Sequence, residues 1–136
     1  MIDTKDEIIK YFKSGFKEFK NFKIGIEHEK FLFDDKSNKR LDYLKIKEMF
    51  SALIEFGWNP IVEKDNIIGL NKGGKNITLE PGNQIELSGD KLNNIHEGCA
   101  ESQDYLFELR QVTKKLGINI VSAGFDPISK LTEIPN

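Results

Sequence analysis

Two stretches in the first half of the chain place apolar residues at the spacing of an amphipathic helix. The first lies near the N-terminus, where Asp3 or Thr4 can cap it. Its apolar positions are Ile8, Ile9, Phe12, Phe16 and Phe19. The second begins after Asp42 and ends at Gly57. Its predicted apolar face consists of Leu44, Met49, Phe50, Leu53 and Ile54.

A third and longer helix is predicted over residues 91–116, and Gly117 ends it. Its apolar residues recur every three or four positions, which is the pattern of a helix with one buried face. The predicted buried positions are Leu92, Ile95, Cys99, Leu106, Leu109, Val112 and Leu116.

The remaining apolar runs are short and are separated by turns, which is typical of strands. They lie at residues 23–33, 61–62, 67–70, 77–79, 85–87 and 118–123. The predicted order is α-β-α-β-β-β-β-α-β. Most of the strand connections are short, and short connections join antiparallel neighbours. We therefore predict an α+β fold, with an antiparallel sheet and helices packed on one face, as a single domain over residues 1–136.

Composition excludes several classes of function. The 136 residues include 22 acidic and 20 basic side chains, for a formal net charge of −2, so we expect no nucleic-acid partner and no membrane partner. No apolar run approaches the ~20 residues that cross a bilayer. The single cysteine cannot form an internal disulfide, and the N-terminus is polar and acidic. These features predict a cytoplasmic protein.

The first candidate for chemistry is an acidic pair inside a predicted strand, where acidic residues are normally depleted. Glu27 and Glu29 are two positions apart, so their side chains project from the same face of the strand, about 7 Å apart. On a half-exposed sheet, such a pair can also simply face water beside lysine partners. The pattern of these two residues leaves both interpretations open.

A second acidic stretch strengthens the case for a site. Gln84 and Glu86 share one strand face, and a tight turn at residues 81–82 brings Glu80 close to them. Carboxylates and an amide on one face repel each other unless a cation offsets their charge. Hard oxygen ligands at this density suit Mg²⁺ or Mn²⁺, which also bind phosphates.

The other candidates favour structural roles. His28 points to the face opposite Glu27 and Glu29, and the chain has no pairing of cysteines and histidines suited to zinc, so His96 is also expected to be structural or on the surface. Cys99 falls on the predicted apolar stripe of the long helix, so we expect a small core residue. Residues 72–75 (KGGK) lack the spacing of a phosphate-binding loop and predict a hairpin turn.

Two motifs resemble those of a known enzyme family. Residues 25–31 (GIEHEKF) and 77–89 (ITLEPGNQIELSG) are similar to the G-x-E-H-E-K-F and I-S-L-E-P-G-G-Q-F-E-L-S-G segments of plant- and proteobacterial-type glutamate–cysteine ligases. The resemblance extends from about Lys23 to Pro127. Asn83 and Ile85 depart from it, but asparagine accepts turn geometry and isoleucine suits a strand.

The resemblance implies a function and a site. Family members join the γ-carboxyl of L-glutamate to the amine of L-cysteine through an acyl phosphate, with ATP and Mg²⁺, as the first step of glutathione biosynthesis. Their fold is a funnel-shaped sheet related to that of glutamine synthetase. By this resemblance the residues that bind the metal, and through it the ATP phosphates, are Glu27, Glu29, Glu80, Gln84 and Glu86. The resemblance identifies no catalytic residue.

The length of the chain leaves alternatives open. Family members are several times longer, so we expect an N-terminal portion that needs the remainder of the ligase polypeptide as its partner and is inactive alone. The alternative is a stand-alone or vestigial module that binds metal or nucleotide without turnover. A related ligase with another acceptor amine is a third possibility, because no motif here selects cysteine.

Overall fold

The computed structural model of the chain describes residues 3–134, and the observed order of helices and strands is the predicted one. Three helices and six strands alternate with three short 3₁₀ turns, at Phe19–Asn21, Ile54–Phe56 and Leu131–Glu133. The main elements are α1 (Lys5–Ser14), β1 (Glu27–Asp34), α2 (Tyr43–Leu53), β2 (Asn59–Glu63), β3 (Asn66–Lys72), β4 (Lys75–Glu80), β5 (Gln84–Ser88), α3 (Ile95–Leu116) and β6 (Ile118–Val121).

The six strands form one antiparallel sheet in the order β2-β3-β4-β5-β1-β6. Hairpins join the four strands from β2 to β5, while β1 pairs with β5 across a long sequence separation. This pairing places the two acidic stretches of the sequence on neighbouring strands. The predicted α+β class with an antiparallel sheet is therefore confirmed.

One face of the sheet carries the hydrophobic core, which helices α2 and α3 cover. Alternate residues of the strands point into this core, and each helix contributes one apolar stripe. The most deeply buried side chains of this core are Leu32, Ile46, Met49, Phe50, Leu53, Trp58, Leu70, Ile77, Ile85, Leu87 and Leu109. On the opposite face, β4, β5 and the first half of β1 carry polar side chains, while Phe31 and Phe33 of β1 are buried there against Arg40. The sheet therefore separates the core from the candidate site.

Helix α1 differs from its predicted role. Thr4 caps it as expected, through a capping box with Glu7, but the helix buries none of its residues. Phe12, Phe16 and Phe19 are each more than two-thirds exposed. The periodicity identified the helix correctly at Ile8, Ile9 and Phe12, but Phe16 and Phe19 lie beyond its end at Ser14. Within residues 3–134 no surface covers its apolar stripe.

Helix α3 begins at Ile95, four residues later than predicted, and its buried face is rotated from the predicted one. Cys99 and Ile95 are exposed, so the expectation of a core cysteine is wrong. The residues that face the sheet are Gly98, Glu101, Tyr105, Leu109, Val112 and Thr113. Helix α2 shows a smaller error, because Ile46 is buried and Leu44 is exposed.

Among the helices of residues 3–134, none combines the length and the apolar character needed to span a bilayer. The finding agrees with the short apolar runs of the sequence.

The start of α3 depends on one side chain. Asn94 Oδ1 accepts hydrogen bonds from the backbone amides of His96 (3.0 Å) and Glu97 (3.1 Å). Asn94→Ala should therefore lower the free energy of unfolding by about 1 kcal/mol. Urea denaturation measures the loss, and Asn94→Ser, which keeps an acceptor oxygen, should retain most of the stability. Equal losses for the two variants would contradict this role for the cap.

Candidate metal site on the acidic sheet face

Strand register brings the two acidic motifs together on the polar face. Glu29 of β1 lies directly opposite Glu86 of β5, and Glu27 lies opposite Ser88. On the other side of β5, Glu80 of β4 lies opposite Gln84. Side chains at directly opposed positions have Cβ atoms about 5 Å apart. We call the set Glu27, Glu29, Glu80, Gln84 and Glu86 the acidic face.

Neutral side chains hold three of these four carboxylates. Gln84 Nε2 donates to Glu29 Oε2 at 2.8 Å, so the amide links β5 to β1 across the face. Thr78 Oγ1 donates to Glu80 at 2.9 Å, and Ser88 Oγ donates to Glu86 at 3.0 Å. Like charges on opposed strand positions destabilise a sheet, and these hydrogen bonds relieve only part of that cost.

No lysine, arginine or histidine of residues 3–134 forms an ion pair with these carboxylates. Glu27 and Glu29 do face water, as the second interpretation of this pair expects, but no lysine of the described residues pairs with them. Nor do any three His, Cys, Asp or Glu side chains of the described chain lie close enough together to hold a metal ion by themselves. The acidic face therefore has opposed carboxylates without a basic partner, but no preformed set of three metal ligands among the described residues.

The reverse side of β1 meets α3 through polar groups. His28 points away from the acidic face, as alternation predicts, and its Nε2 lies 2.9 Å from Ser102 Oγ. Burial lowers the pKa of His28, the charge of Lys30 lowers it further, and Glu101 partly opposes both. Burial also lowers the pKa of Lys30, whose ammonium donates to the Glu29 carbonyl at 3.2 Å. These contacts fix the back of the strand that carries Glu27 and Glu29.

Beside the acidic face lies a buried ion pair that the sequence analysis did not single out. Arg40 Nη1 donates to Asp126 Oδ2 at 2.8 Å, and both side chains are less than one-tenth exposed. The Arg40 guanidinium carbon lies 4.9 Å from the ring centre of Phe31, which is two positions beyond Glu29 on the same strand face. Arg40 is one of only two arginines in the chain. That scarcity was the only signal of it in the sequence.

Asp126 is held in its charged form. Burial by itself raises the pKa of Asp126, but the backbone amides of Ser129 and Ile128, each 2.9 Å away, and the guanidinium of Arg40 outweigh burial. The pKa therefore lies well below its usual range. Asp126→Asn should remove about 3 kcal/mol from the free energy of unfolding near neutral pH, because it leaves the buried arginine unpaired.

The pH dependence of this loss has a definite sign. Because folding lowers the pKa of Asp126, its contribution is present above its ordinary pKa of 3.8 and is lost as the pH falls toward the folded value. The stability difference between the wild type and Asp126→Asn should therefore shrink below about pH 4. Urea unfolding at neutral and acid pH tests it, and a difference that stays constant with pH would contradict the ionised pair.

Cavities lie at the margins of the acidic face. One of about 570 Å³ borders Arg40 and is lined by Lys39, Ile128, Ser129 and Lys130 among others. A smaller one of about 210 Å³ reaches Glu27 at the other end of the face, between Gly25 and Ser88. The larger cavity contains none of the acidic-face residues. This cavity is therefore not evidence for a metal site.

The remaining candidates have structural surroundings. His96 is exposed in the first turn of α3. Residues 72–75 form the β3–β4 hairpin turn that the sequence predicted, with Lys72 opposite Lys75. The ammonium of Lys72 is paired with Glu108 at 2.5 Å, and Trp58 Nε1 donates to the same carboxylate at 2.7 Å.

Comparison with known proteins gives a consistent family. Residues 23–135 match the family model described as glutamate-cysteine ligase family 2. The chain is 41% identical over 133 residues to glutamate–cysteine ligase A, chloroplastic, of Oryza sativa subsp. japonica. It is 40% identical to the chloroplastic glutamate–cysteine ligase of Nicotiana tabacum and 38% identical to that of Arabidopsis thaliana.

Coverage in these matches is uneven. Each aligned region spans 97% of this chain but only 26–27% of the relative, so the chain spans about a quarter of the length of the curated relatives it matches. The expected cytoplasmic localisation is wrong by this comparison, because these relatives are named as chloroplastic. The polarity of the first residues was not a sufficient guide to the compartment.

Proposed function

Because the chain belongs to glutamate–cysteine ligase family 2, we propose that it supplies part of the active site of an ATP-dependent ligase. This enzyme joins the γ-carboxyl of L-glutamate to the amine of L-cysteine, the first step of glutathione biosynthesis. The observation that carries the proposal is the register that sets Glu29 opposite Glu86, with Glu27 and Glu80 on the same face and no basic side chain of residues 3–134 paired with them.

The acidic face fits Mg²⁺ or Mn²⁺ by the chemistry of its donors. All are hard oxygens, and Mg²⁺ usually takes only one or two carboxylates, with water and substrate phosphates completing its shell. The Glu29–Glu86 pair meets this requirement without a cage of three protein groups. Glu27, Glu80 and the Gln84 oxygen are the further ligands of the proposed site. When bound, the ion would neutralise the ATP phosphates and so lower the barrier to their approach by an anion.

The reaction has two steps. An oxygen of the glutamate γ-carboxylate attacks the γ-phosphorus of ATP, the bond to the β-phosphate oxygen breaks, and ADP leaves. The cysteine amine then attacks the acyl carbon, loses a proton, and displaces phosphate. The acidic face contributes binding and orientation in the first step, since an in-line attack needs the phosphates to be held in one position.

The acyl phosphate requires protection from water. Glu27 and Glu29 are exposed to solvent in this chain, so the acidic face alone does not supply that protection. We propose that this sheet is part of a funnel related to that of glutamine synthetase, completed by the remainder of the ligase polypeptide. The relatives, which are about four times longer, support this proposal.

The test is an assay of a complete ligase that contains these residues. We expect γ-glutamylcysteine and ADP to form together, only with ATP and a divalent ion. A chelator should abolish the activity, and excess Mg²⁺ should restore it. ATP binding without any product, with either cysteine or other amines as acceptor, would instead identify a binding module.

The 136-residue chain by itself should form no γ-glutamylcysteine. The physical reason is the open acidic face, on which an acyl phosphate would meet water before an amine. Coupled measurement of ADP release and product, with the complete ligase as positive control, checks this. Product formation by the purified chain without any partner would contradict it.

A further inference from the structure

The turn between β4 and β5 is tied to a distant part of the chain. This turn separates Glu80 from Gln84, so its conformation sets how those two side chains lie on the acidic face. Asn83 takes a left-handed backbone conformation, with φ of 57°, and so does Gly82, with φ of 72°. Glycine takes this conformation at no steric cost, and asparagine tolerates it.

Two hydrogen bonds of opposite direction hold it. Arg40 Nη2 donates to the carbonyl of Gly82, and Asn83 Nδ2 donates to the carbonyl of Leu41 at 2.8 Å. Arg40 and Leu41 therefore each form one hydrogen bond with the turn. Leu41 is buried, and its backbone amide donates a hydrogen bond to the carbonyl of Leu32 in β1. The segment that holds the turn is therefore itself fixed to the core.

The guanidinium itself is immobilised. It packs over the rings of Phe31 and Phe33, with its central carbon 4.9 and 5.7 Å from their centres. The other terminal nitrogen of the guanidinium, Nη1, pairs with the carboxylate of Asp126, which follows β6. Arg40 thus connects three separate parts of the fold: strand β1 next to Glu29, the β4–β5 turn, and the segment after β6.

We propose that Arg40 is a positioning residue for the acidic face, acting through its bond to Gly82 to hold Glu80 and Gln84 in place for the divalent ion. The inference rests on the proposed function, since it assumes that this face binds metal. Gln84 donates to Glu29, so a displaced turn also disturbs the carboxylate on β1. In this role Arg40 contacts neither the divalent ion nor a substrate.

A purely electrostatic role and a positioning role of Arg40 predict opposite changes in cation affinity when Arg40 is replaced. Replacing Arg40 with an uncharged residue removes a positive charge beside an acidic face and leaves Asp126 unpaired. Coulombic attraction alone would then strengthen the binding of a cation. If Arg40 acts by positioning, binding becomes weaker despite the more negative surroundings.

The experiment is a titration of the 136-residue chain with Mn²⁺, with free ion followed by electron paramagnetic resonance. Arg40→Met keeps a long apolar side chain against Phe31 and Phe33 but cannot bond to Gly82. We expect it to weaken Mn²⁺ binding about 10-fold, as loss of a residue that supports metal ligands does. Arg110→Met is the matched control, because Arg110 is an exposed arginine on α3, and it should leave the affinity unchanged.

A second variant covers the case in which Arg40→Met fails to fold. Asn83→Gly removes only the bond to the Leu41 carbonyl, changes no charge, and suits the left-handed backbone. It should weaken Mn²⁺ binding several-fold with little change in melting temperature. Nuclear relaxation of the Gly82 amide should show greater mobility in both variants, while the amides of β2 and β3 remain unchanged.

The outcomes separate the two hypotheses. Unchanged or tighter Mn²⁺ binding in folded Arg40→Met and Asn83→Gly would overturn the positioning role. A turn that stays rigid in both variants would overturn it as well. A wild-type chain that binds no Mn²⁺ would overturn both the metal assignment and the role of Arg40 in metal binding. Greater mobility of the β4–β5 turn in the variants would, even then, establish that Arg40 and Asn83 hold the turn in place.

Discussion

Glu29→Gln in a complete ligase should lower kcat/KM for the formation of γ-glutamylcysteine by roughly 100-fold or more, since loss of even a supporting residue costs 10–100-fold at metal sites. Glutamine keeps the size of the side chain but removes the negative charge that opposes Glu86 across the strand pair. The acidic face would lose one of the two carboxylates that oppose each other across the strand pair. Steady-state kinetics at varied Mg²⁺ measure the effect, and higher Mg²⁺ should recover part of the activity.

Glu29 is exposed, so the substitution should change the melting temperature little. Glu55→Gln is the matched control, because Glu55 is an exposed carboxylate in the 3₁₀ turn after α2, on no strand of the sheet. It should leave kcat/KM unchanged. Equal activities for Glu29→Gln and Glu55→Gln would remove Glu29 from the site.

Phe50→Ala should lower the free energy of unfolding by about 3–5 kcal/mol, the cost typical of truncating a buried phenylalanine. Phe50 is fully buried in α2, at the centre of the core on the side of the sheet away from the acidic face. A domain of this size is stable by only about 5–15 kcal/mol, so the variant should be close to unfolding at room temperature. Urea denaturation followed by tryptophan fluorescence measures the loss.

Leu44→Ala is the control for this prediction, because it shortens an apolar side chain of the same helix that is 74% exposed. Its effect should lie within about 0.5 kcal/mol of the wild type. Similar losses for the two variants would mean that α2 does not pack through the face seen here.

Hydrophobic periodicity predicted the number, order and type of the elements but not the orientation of every helix. In α3, the apolar spacing predicts Cys99 in the core and not Glu101, yet Cys99 is exposed and Glu101 is buried. One carboxylate oxygen of Glu101 accepts a hydrogen bond from the Asp90 amide at 3.1 Å, and the other has no partner among the described residues. Gly98 allows Ile26 to approach the helix closely. Both contacts are tertiary, and apolar spacing does not encode them.

The acidic face was predictable for a different reason. Two-residue alternation places Glu27 and Glu29 on one face whatever the surrounding fold, and a short turn restricts where Gln84 and Glu86 can lie. The pairing of β1 with β5, which sets Glu29 opposite Glu86, spans 57 residues of sequence and was not predicted. The family resemblance implied only that these residues bind the same metal. Arg40 was missed because its partners come from three distant segments, so no local pattern marks it.

The most direct test of the account is where a divalent ion binds on this chain. Mn²⁺ broadens the amide signals of nearby residues in a ¹⁵N-labelled protein, and excess Mg²⁺ should reverse the broadening if the site accepts both ions. We predict broadening centred on Glu29 and Glu86, and its loss when both are replaced by glutamine. Broadening centred on another acidic segment, such as the turn around Asp34 and Asp35, or spread evenly over the surface, would contradict a metal site on the acidic face.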